Sequence, residues 1–476
     1  MPPEGTSVVP RNASAFRARH CIAAWSASDS SSERKQPMLG HYFALALRSL
    51  RRNPVLTALM ISAIGVGISA SMTTLTVYRG MDADPIPQKA RDLFAPQIDN
   101  WGPHPAFPGA RFADHLADQM SYTDVMNLMR LQGARQQTAM YQTGFVLTPS
   151  DPKIRPFNVL ARATYHGFFS MFEVPFRYGG DWTATDDQNR APVAVLSREL
   201  NEKLFDGANS VGREIRLNGV SYRIVGVLGK WRPVPRFYDL NGNPYGKTAN
   251  VFVPFTNTIE RHARTTGNLD CNKSLPPGWD RLLRSDCVWL QFWVELPTAA
   301  DVKAYRALLV RYAAQQRSLG HFHWPPHVQL RDVPQWLSYH HLVSDEVRIL
   351  TLLSFAFLVI CLLNALALML AKLLSRSGEF GVRRALGASR PAVAIQCTCE
   401  AATIGLAGGL LGFGLTALSF AGLRALLSSE GRALLHLDGT AAIVTILLAV
   451  AVTILVGLYP TWKAVRLPPT LQLKAD

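Results

Sequence analysis

Charge is what this 476-residue sequence is shortest of. Only 17% of it is Asp, Glu, Lys or Arg, where soluble domains carry roughly 25%. The shortage is concentrated in four runs. Between Arg52 and Arg79 lie 26 uncharged residues, between Arg348 and Lys372 another 23, between Glu400 and Arg424 a further 23, and between Asp438 and Lys463 the last 24. A membrane-crossing helix needs about 20 apolar residues, and buried helices of soluble cores rarely run so long without a charge on any face. Four transmembrane helices are therefore expected, over 53–78, 346–372, 395–424 and 439–462.

Other absences narrow the function. Residues 1–37 are rich in Ser, Pro and Arg and lack the apolar stretch of a secretory signal. Either translation starts at Met38, which opens a basic amphipathic helix leading into the first span, or 1–37 form a disordered cytoplasmic tail. Nothing qualifies as a phosphate-binding loop. The nearest stretch, "NGNPYGKT" (241–248), has Asn241 where the first glycine belongs and leads into strand-like "ANVFVPF". No nucleophile elbow, Ser-His-Asp order or carboxylate pair stands out, so a catalytic site is not expected. His321, His323 and His327 flank Pro325-Pro326 and read as a turn; no metal is assigned to them.

The surplus of positive charge is placed, not spread. With the N-terminus inside, segments 1–52, 372–390 and 463–476 hold 16 Lys+Arg against 5 Asp+Glu, or +11 of the chain's +15. Residues 79–348 hold 31 against 26, and the short 425–438 loop is neutral within one charge. That asymmetry is the positive-inside bias of a membrane protein, so nucleic-acid binding is not expected.

The 79–345 segment is too long for a loop and must fold. "PVAVLS" (192–197) reads as a strand ending on Ser197, the N-cap of a helix "RELNEKLF". Asn218-Gly219 joins two β-rich arms as a two-residue hairpin turn. Ser121 caps a helix over 121–131, 155–164 reads as a strand, and 287–296, 299–316 and 327–333 as strand, helix and strand. Residues 334–350 are expected to run as one continuous helix into the second span, a rigid stalk. Cys271 and Cys287 bound a polar excursion on the outside face, where an oxidising compartment favours a disulfide between them.

Three features of the membrane part carry functional weight. "GLAGGLLGFG" sets Gly405, Gly408, Gly409 and Gly412 at helical spacing in the third span, where small residues let helix backbones approach. Glu400 is an acid beside that span, expected to be paired or to snorkel. The segment 373–394 contains "EFGVRRALGAS" (379–389). Glu379 and Arg383 make an i,i+4 pair in the favourable order. Val382, Ala385 and Leu386 form an apolar stripe, Gly387 suits a left-handed helix terminus, and Pro391 suits the first turn of the next helix.

That motif resembles the cytoplasmic signature of the FtsX-like permease family, with Phe380 where Ile is usual. "LALRSLRRNPVLTALMISAIGVGISAS" (45–71), "FFSMFEVPFRYGGDW" (168–182) and "VGREIRLNGVSYRIVGVL" (211–228) resemble the MacB-type permease and its periplasmic core domain. The resemblance covers about 40–476. It implies an α-helical membrane protein with four transmembrane helices and a large α+β periplasmic domain inserted between the first and second spans. An inserted subdomain would occupy about 165–255, between flanks forming a porter-like part. The implied function is the permease of an ABC transporter in the bacterial inner membrane, working as a homo- or heterodimer and transmitting movement from cytoplasm to periplasm for export.

In MacB itself the ATPase is fused ahead of the membrane part. With 52 residues before the first span here, ATP is expected to bind a separate cytoplasmic ATPase, and this chain needs no cofactor. Residues Glu379, Phe380, Gly381, Val382, Arg383, Arg384, Ala385, Leu386, Gly387 and Ala388 would form the helix that docks that ATPase. A periplasmic membrane-fusion adaptor and membrane lipids are further implied partners. The family also contains signal-relaying division permeases and lipoprotein-extracting permeases, which remain alternatives.

Overall fold

The computed structural model describes residues 52–426, except 83, 101–115, 150, 273, 276, 377, 380–381, 383–385 and 388, together with residues 48, 443, 447, 450, 451 and 454. Two units separate. One contains residues 60–365 and 406–449, the other residues up to 59, 366–405 and 450–476.

The larger unit is organised by a sheet with eleven strands among the described residues. They are β1 (Leu93–Ile98), β2 (Met120–Ser121), β3 (Gln136–Thr148), β4 (Phe157–Thr164), β5 (Phe176–Gly179), β6 (Val193–Leu196), β7 (Glu214–Leu217), β8 (Val220–Leu228), β9 (Val251–Pro254), β10 (Val288–Glu295) and β11 (Val328–Asp332). Their order is β11-β1-β10-β3-β4-β9-β6-β8-β5, with β2 beside β10 and β7 bridging β3 and β8. Only β4–β9 and β6–β8 are parallel. Strands from the two flanks interleave: β1 lies antiparallel between β10 and β11. The 165–255 stretch joins them through backbone hydrogen bonds at β4–β9 and β3–β7.

Local chemistry explains the elements. Ser121 accepts from the Asp124 N–H and starts helix Tyr122–Leu131, and Ser197 accepts from the Leu200 N–H and starts helix Arg198–Phe205. Thr298 and Asp301 form a reciprocal capping box on Ala299–Ser318. Asn218 (φ 47°) and Gly219 (φ 82°) make the β7–β8 turn, both in the left-handed region that a two-residue hairpin of this type requires. Strand β10 is buried at all eight positions, because both sheet faces are covered. Trp289, Tyr305 and Leu309 pack on one side, and Trp293, Phe172 and Trp336 belong to a second cluster.

The expected stalk is not continuous. Helix Val333–Tyr339 stops, and a new helix begins at Asp345. His341 has φ 46°, a left-handed conformation that ends the first helix. Ser344 then starts the second, its hydroxyl 3.4 Å from the Val347 N–H, with Asp345 and Glu346 in the first turn. An N-cap followed by two acids is a helix-start signal, and here it outweighs the apolar periodicity running through it.

Among the described residues, three helices are long and apolar enough to cross a membrane: Pro54–Met81, Asp345–Leu374 and Pro391–Ala425. The fourth expected span, 439–462, lies almost wholly outside the described residues, as do 1–37 and the 463–476 tail.

Candidate functional site

Of the residues expected to dock the ATPase, between the second and third apolar helices, Glu379, Val382, Leu386 and Gly387 are described. Phe380, Gly381, Arg383, Arg384, Ala385 and Ala388 lie outside the described residues, and with Arg383 the expected Glu379–Arg383 pair. Val382 is helical, and its carbonyl accepts from the Leu386 N–H at 3.0 Å. Gly387 follows at φ 101°, a conformation that L side chains resist. The apolar side chains of Val382 and Leu386 are 49% and 83% exposed. One helical turn apart, they offer an uncovered apolar pair within a charged segment.

Glu379, at the start of this segment, joins a chain of charges. The Arg52 guanidinium donates to Glu379 Oε2 at 3.2 Å, and Arg376 Nε stands 3.4 Å from the same oxygen. Arg376 Nη1 is 3.9 Å from Glu400 Oε2, and the other Glu400 oxygen accepts from Lys372. Lys372 and Glu400 are 2% and 4% exposed. Glu400 is thus paired. The reading from sequence missed its partner because Lys372 served only to mark the end of an apolar run. A lysine closing one such run and a glutamate 28 residues on at the next was the available signal.

In the larger unit, Gly408 and Gly412 press against the first apolar helix. A methyl group on Gly408 would come within 2.7 Å of Ile64 Cγ2, and one on Gly412 within 2.8 Å of Ile68 Cγ2 and 2.9 Å of the Gly65 carbonyl. Gly408 and Gly412 thus set the spacing of these two helices, and Gly405 and Gly409 are buried.

The sheet domain holds three further polar features. Cys271 and Cys287 are joined by a disulfide. A cavity of about 360 Å³ is lined by Asp118, Gln119, Asn241, Asn268, Asp270 and His340, among others. Burial pushes the Asp118 carboxyl up to about 7 against the pull of Arg331, with Asp270 adding to the rise. Burial likewise pushes His340 down to about 4, aided by Arg331 and His341. Deeper in the core, Arg162 on β4 donates to Asp239, which also accepts from Gln291 of β10 at 3.1 Å. Burial alone would raise the Asp239 carboxyl, but the charges of Arg162 and Arg236 and the Arg162 hydrogen bond hold it below its ordinary value.

Two family models match, the MacB-like periplasmic core domain over residues 57–312 and the FtsX-like permease C-terminal domain over 351–469. Among curated proteins, the macrolide export ATP-binding/permease protein MacB of Rhodospirillum rubrum is 27% identical over 394 residues, covering 79% of this chain and 52% of that protein. The protein of the same name from Azoarcus sp. is 24% identical over 373 residues, covering 77% and 50%. The chain spans about half the length of the curated relatives it matches. Among solved structures, the periplasmic region of MacB from Actinobacillus actinomycetemcomitans superposes with a TM-score of 0.35 at 13% identity, over 56% of this chain and 98% of that one. With the core-domain model covering more than half of the sequence and the permease model the rest of its apolar helices, the chain belongs to the MacB/FtsX-like family of ABC transporter permeases.

Proposed function

We infer that this chain is the permease subunit of an inner-membrane ABC exporter whose ATPase is a separate cytoplasmic protein. It would cross the membrane four times, the fourth span over 439–462, with residues 79–345 on the periplasmic side. ATP binding and hydrolysis by the partner would move segment 379–388, and the membrane helices would carry that movement to the periplasmic domain, driving export. The permease would work as a dimer, and a periplasmic adaptor could complete the assembly.

The observation that carries this reading is the exposed Val382–Leu386 pair on a segment tied back by Glu379 and Arg376. Exposed apolar side chains beside fixed charges are what a protein groove recognises. The names of the relatives, which combine ATP binding with a permease for export, support export over signalling.

The test is purification of the tagged full chain from its native membrane, with Mg-ATP hydrolysis measured in the eluate. Wild type is expected to bring down an ATPase with activity, and the Val382→Asp/Leu386→Asp chain to arrive folded but with the activity lost. Equal hydrolysis in both eluates would defeat the docking assignment, and none in either would defeat the ABC permease reading.

A further inference from the structure

Lys372 lies in the last turn of helix Asp345–Leu374, Arg376 just past it, and Glu400 in helix Arg390–Leu426. We propose that these three residues are positioning residues that clasp Glu379, where the exposed segment begins, to the second and third apolar helices. Force applied at Val382 and Leu386 then reaches those helices instead of being lost in the linker. The proposal rests on the reading of that segment as the ATPase-docking element.

The geometry argues it in three steps. Helix Asp345–Leu374 ends just before the segment, and past it the Ser375 and Arg376 N–H groups bond back to Ala371 and Leu373. Lys372 and Arg376 stand one turn apart on one face. Both reach Glu400 on helix Arg390–Leu426, so the outgoing and returning helices share a single carboxylate. Arg376 then extends to Glu379, which Arg52 grips from the segment ahead of the first apolar helix. Five charges, three of them largely buried, thereby connect three stretches of chain that are distant in sequence.

Buried ionic groups in apolar surroundings are costly when one partner is lost and are often replaceable as a pair by apolar residues. They therefore contribute little to stability over a packed alternative, and intramembrane ionisable groups are functional candidates by default. Two apolar side chains would fill the Lys372–Glu400 space but could not hold Arg376. That difference separates positioning from simple support of the fold.

The experiment uses the full chain in lipid nanodiscs, with Cys21, Cys361, Cys397 and Cys399 replaced by Ala and nitroxide labels at Val382 and Ile395. Both are exposed, at 49% and 41%. Pulsed dipolar spectroscopy of otherwise wild-type chain should give one narrow distance peak. Arg376→Gln should lose that peak to a broad distribution without lowering the melting temperature much. Glu400→Gln should lose both peak and stability. The Lys372→Met/Glu400→Met double variant should regain the melting temperature and still give the broad distribution. A narrow peak in the double variant, or in Arg376→Gln, would assign these charges to the fold alone and overturn the proposal, as would a broad distribution in the wild type. None of these readouts involves the ATPase, so loss of the docking assignment would leave the measurement intact.

Discussion

Among the described residues, two ion pairs have both side chains buried, and they differ in where their remaining contacts lead. Arg162–Asp239 is enclosed: its partners are Gln291 on β10, Arg236, and the Tyr238 ring 5.2 Å from the Arg162 guanidinium carbon. All belong to the sheet domain, and Arg162 and Asp239 are 1% and 5% exposed. Lys372–Glu400 is as deeply buried, but its network ends on Glu379 and Arg52, whose side chains are 31% and 69% exposed. The first pair stitches residue 239, in the stretch between β8 and β9, to strands β4 and β10. The second ends in solvent beside an uncovered apolar pair. Burial of charge alone does not say what a pair does; the path outward from it does.

The largest expected effect breaks the enclosed pair. Arg162→Met leaves Asp239 buried with only the more distant Arg236 charge, and such removals cost about 3–5 kcal/mol. Asp239, held low in the folded chain by Arg162, contributes stability above its unfolded value that fades as pH falls through its folded one. That contribution should vanish in the variant and flatten its acid-unfolding curve. Adding Asp239→Leu should recover most of the loss in thermal unfolding. The chain should then fold with its exposed segment unaffected, in contrast to the Lys372/Glu400 double variant.

A smaller loss is expected from Cys271→Ser. The disulfide closes a 16-residue separation, for which the loop-entropy estimate is about 3 kcal/mol. Its ends are held further by the backbone exchange between Asp270 and Val288, at 2.8 and 3.0 Å, so the measured loss should fall below that value. Thermal unfolding with and without reductant reads it: wild type should shift with reductant, and the variant should not.

How legible these regions were in the sequence follows the range of the forces that build them. The caps at Ser121 and Ser197 and the Asn218-Gly219 turn involve neighbours in the chain, and residue type alone sets them. The break at His340–Ser344 was legible too, in Ser344-Asp345-Glu346, but periodicity across it was given more weight. The exposed Val382–Leu386 pair could be anticipated because a charged, capped segment between apolar runs has few other uses. Arg162–Asp239 and Lys372–Glu400 join residues 77 and 28 apart. For the second, the signal lay in a lysine and an acid that each bound an apolar run. No local pattern announces the first, since each of its charges taken singly looks like a solvated one. The parallel β4–β9 pairing, which ties the 165–255 stretch to the rest of the sheet, is hidden for the same reason.

The smallest effect sharpens the comparison within the sheet domain, where Asp239 is held low and Asp118 is pushed up to about 7. A carboxyl raised on folding gives stability that is complete below its unfolded value, near 4, and is lost as pH rises to about 7. His340, lowered to about 4 from an ordinary value near 6.5, has the opposite sign: its contribution is present above 6.5 and lost as pH falls towards 4. The two groups are 3.6 Å apart and share Arg331 as a charged neighbour, with Asp270 acting on Asp118 and His341 on His340. Between pH 4 and 6.5 they therefore offset each other. Asp118→Asn should unmask His340, so that the melting temperature climbs with pH across this window more steeply than in wild type. His340→Gln should unmask Asp118, so that it falls instead. Loss of the His340 ring from Trp336, 4.3 Å between centroids, lowers stability at every pH and leaves the slope unchanged. Slopes of the same sign in the two variants would mean that the cavity carboxyl and imidazole do not titrate against each other, and that Asp118 is as fixed in charge as Asp239.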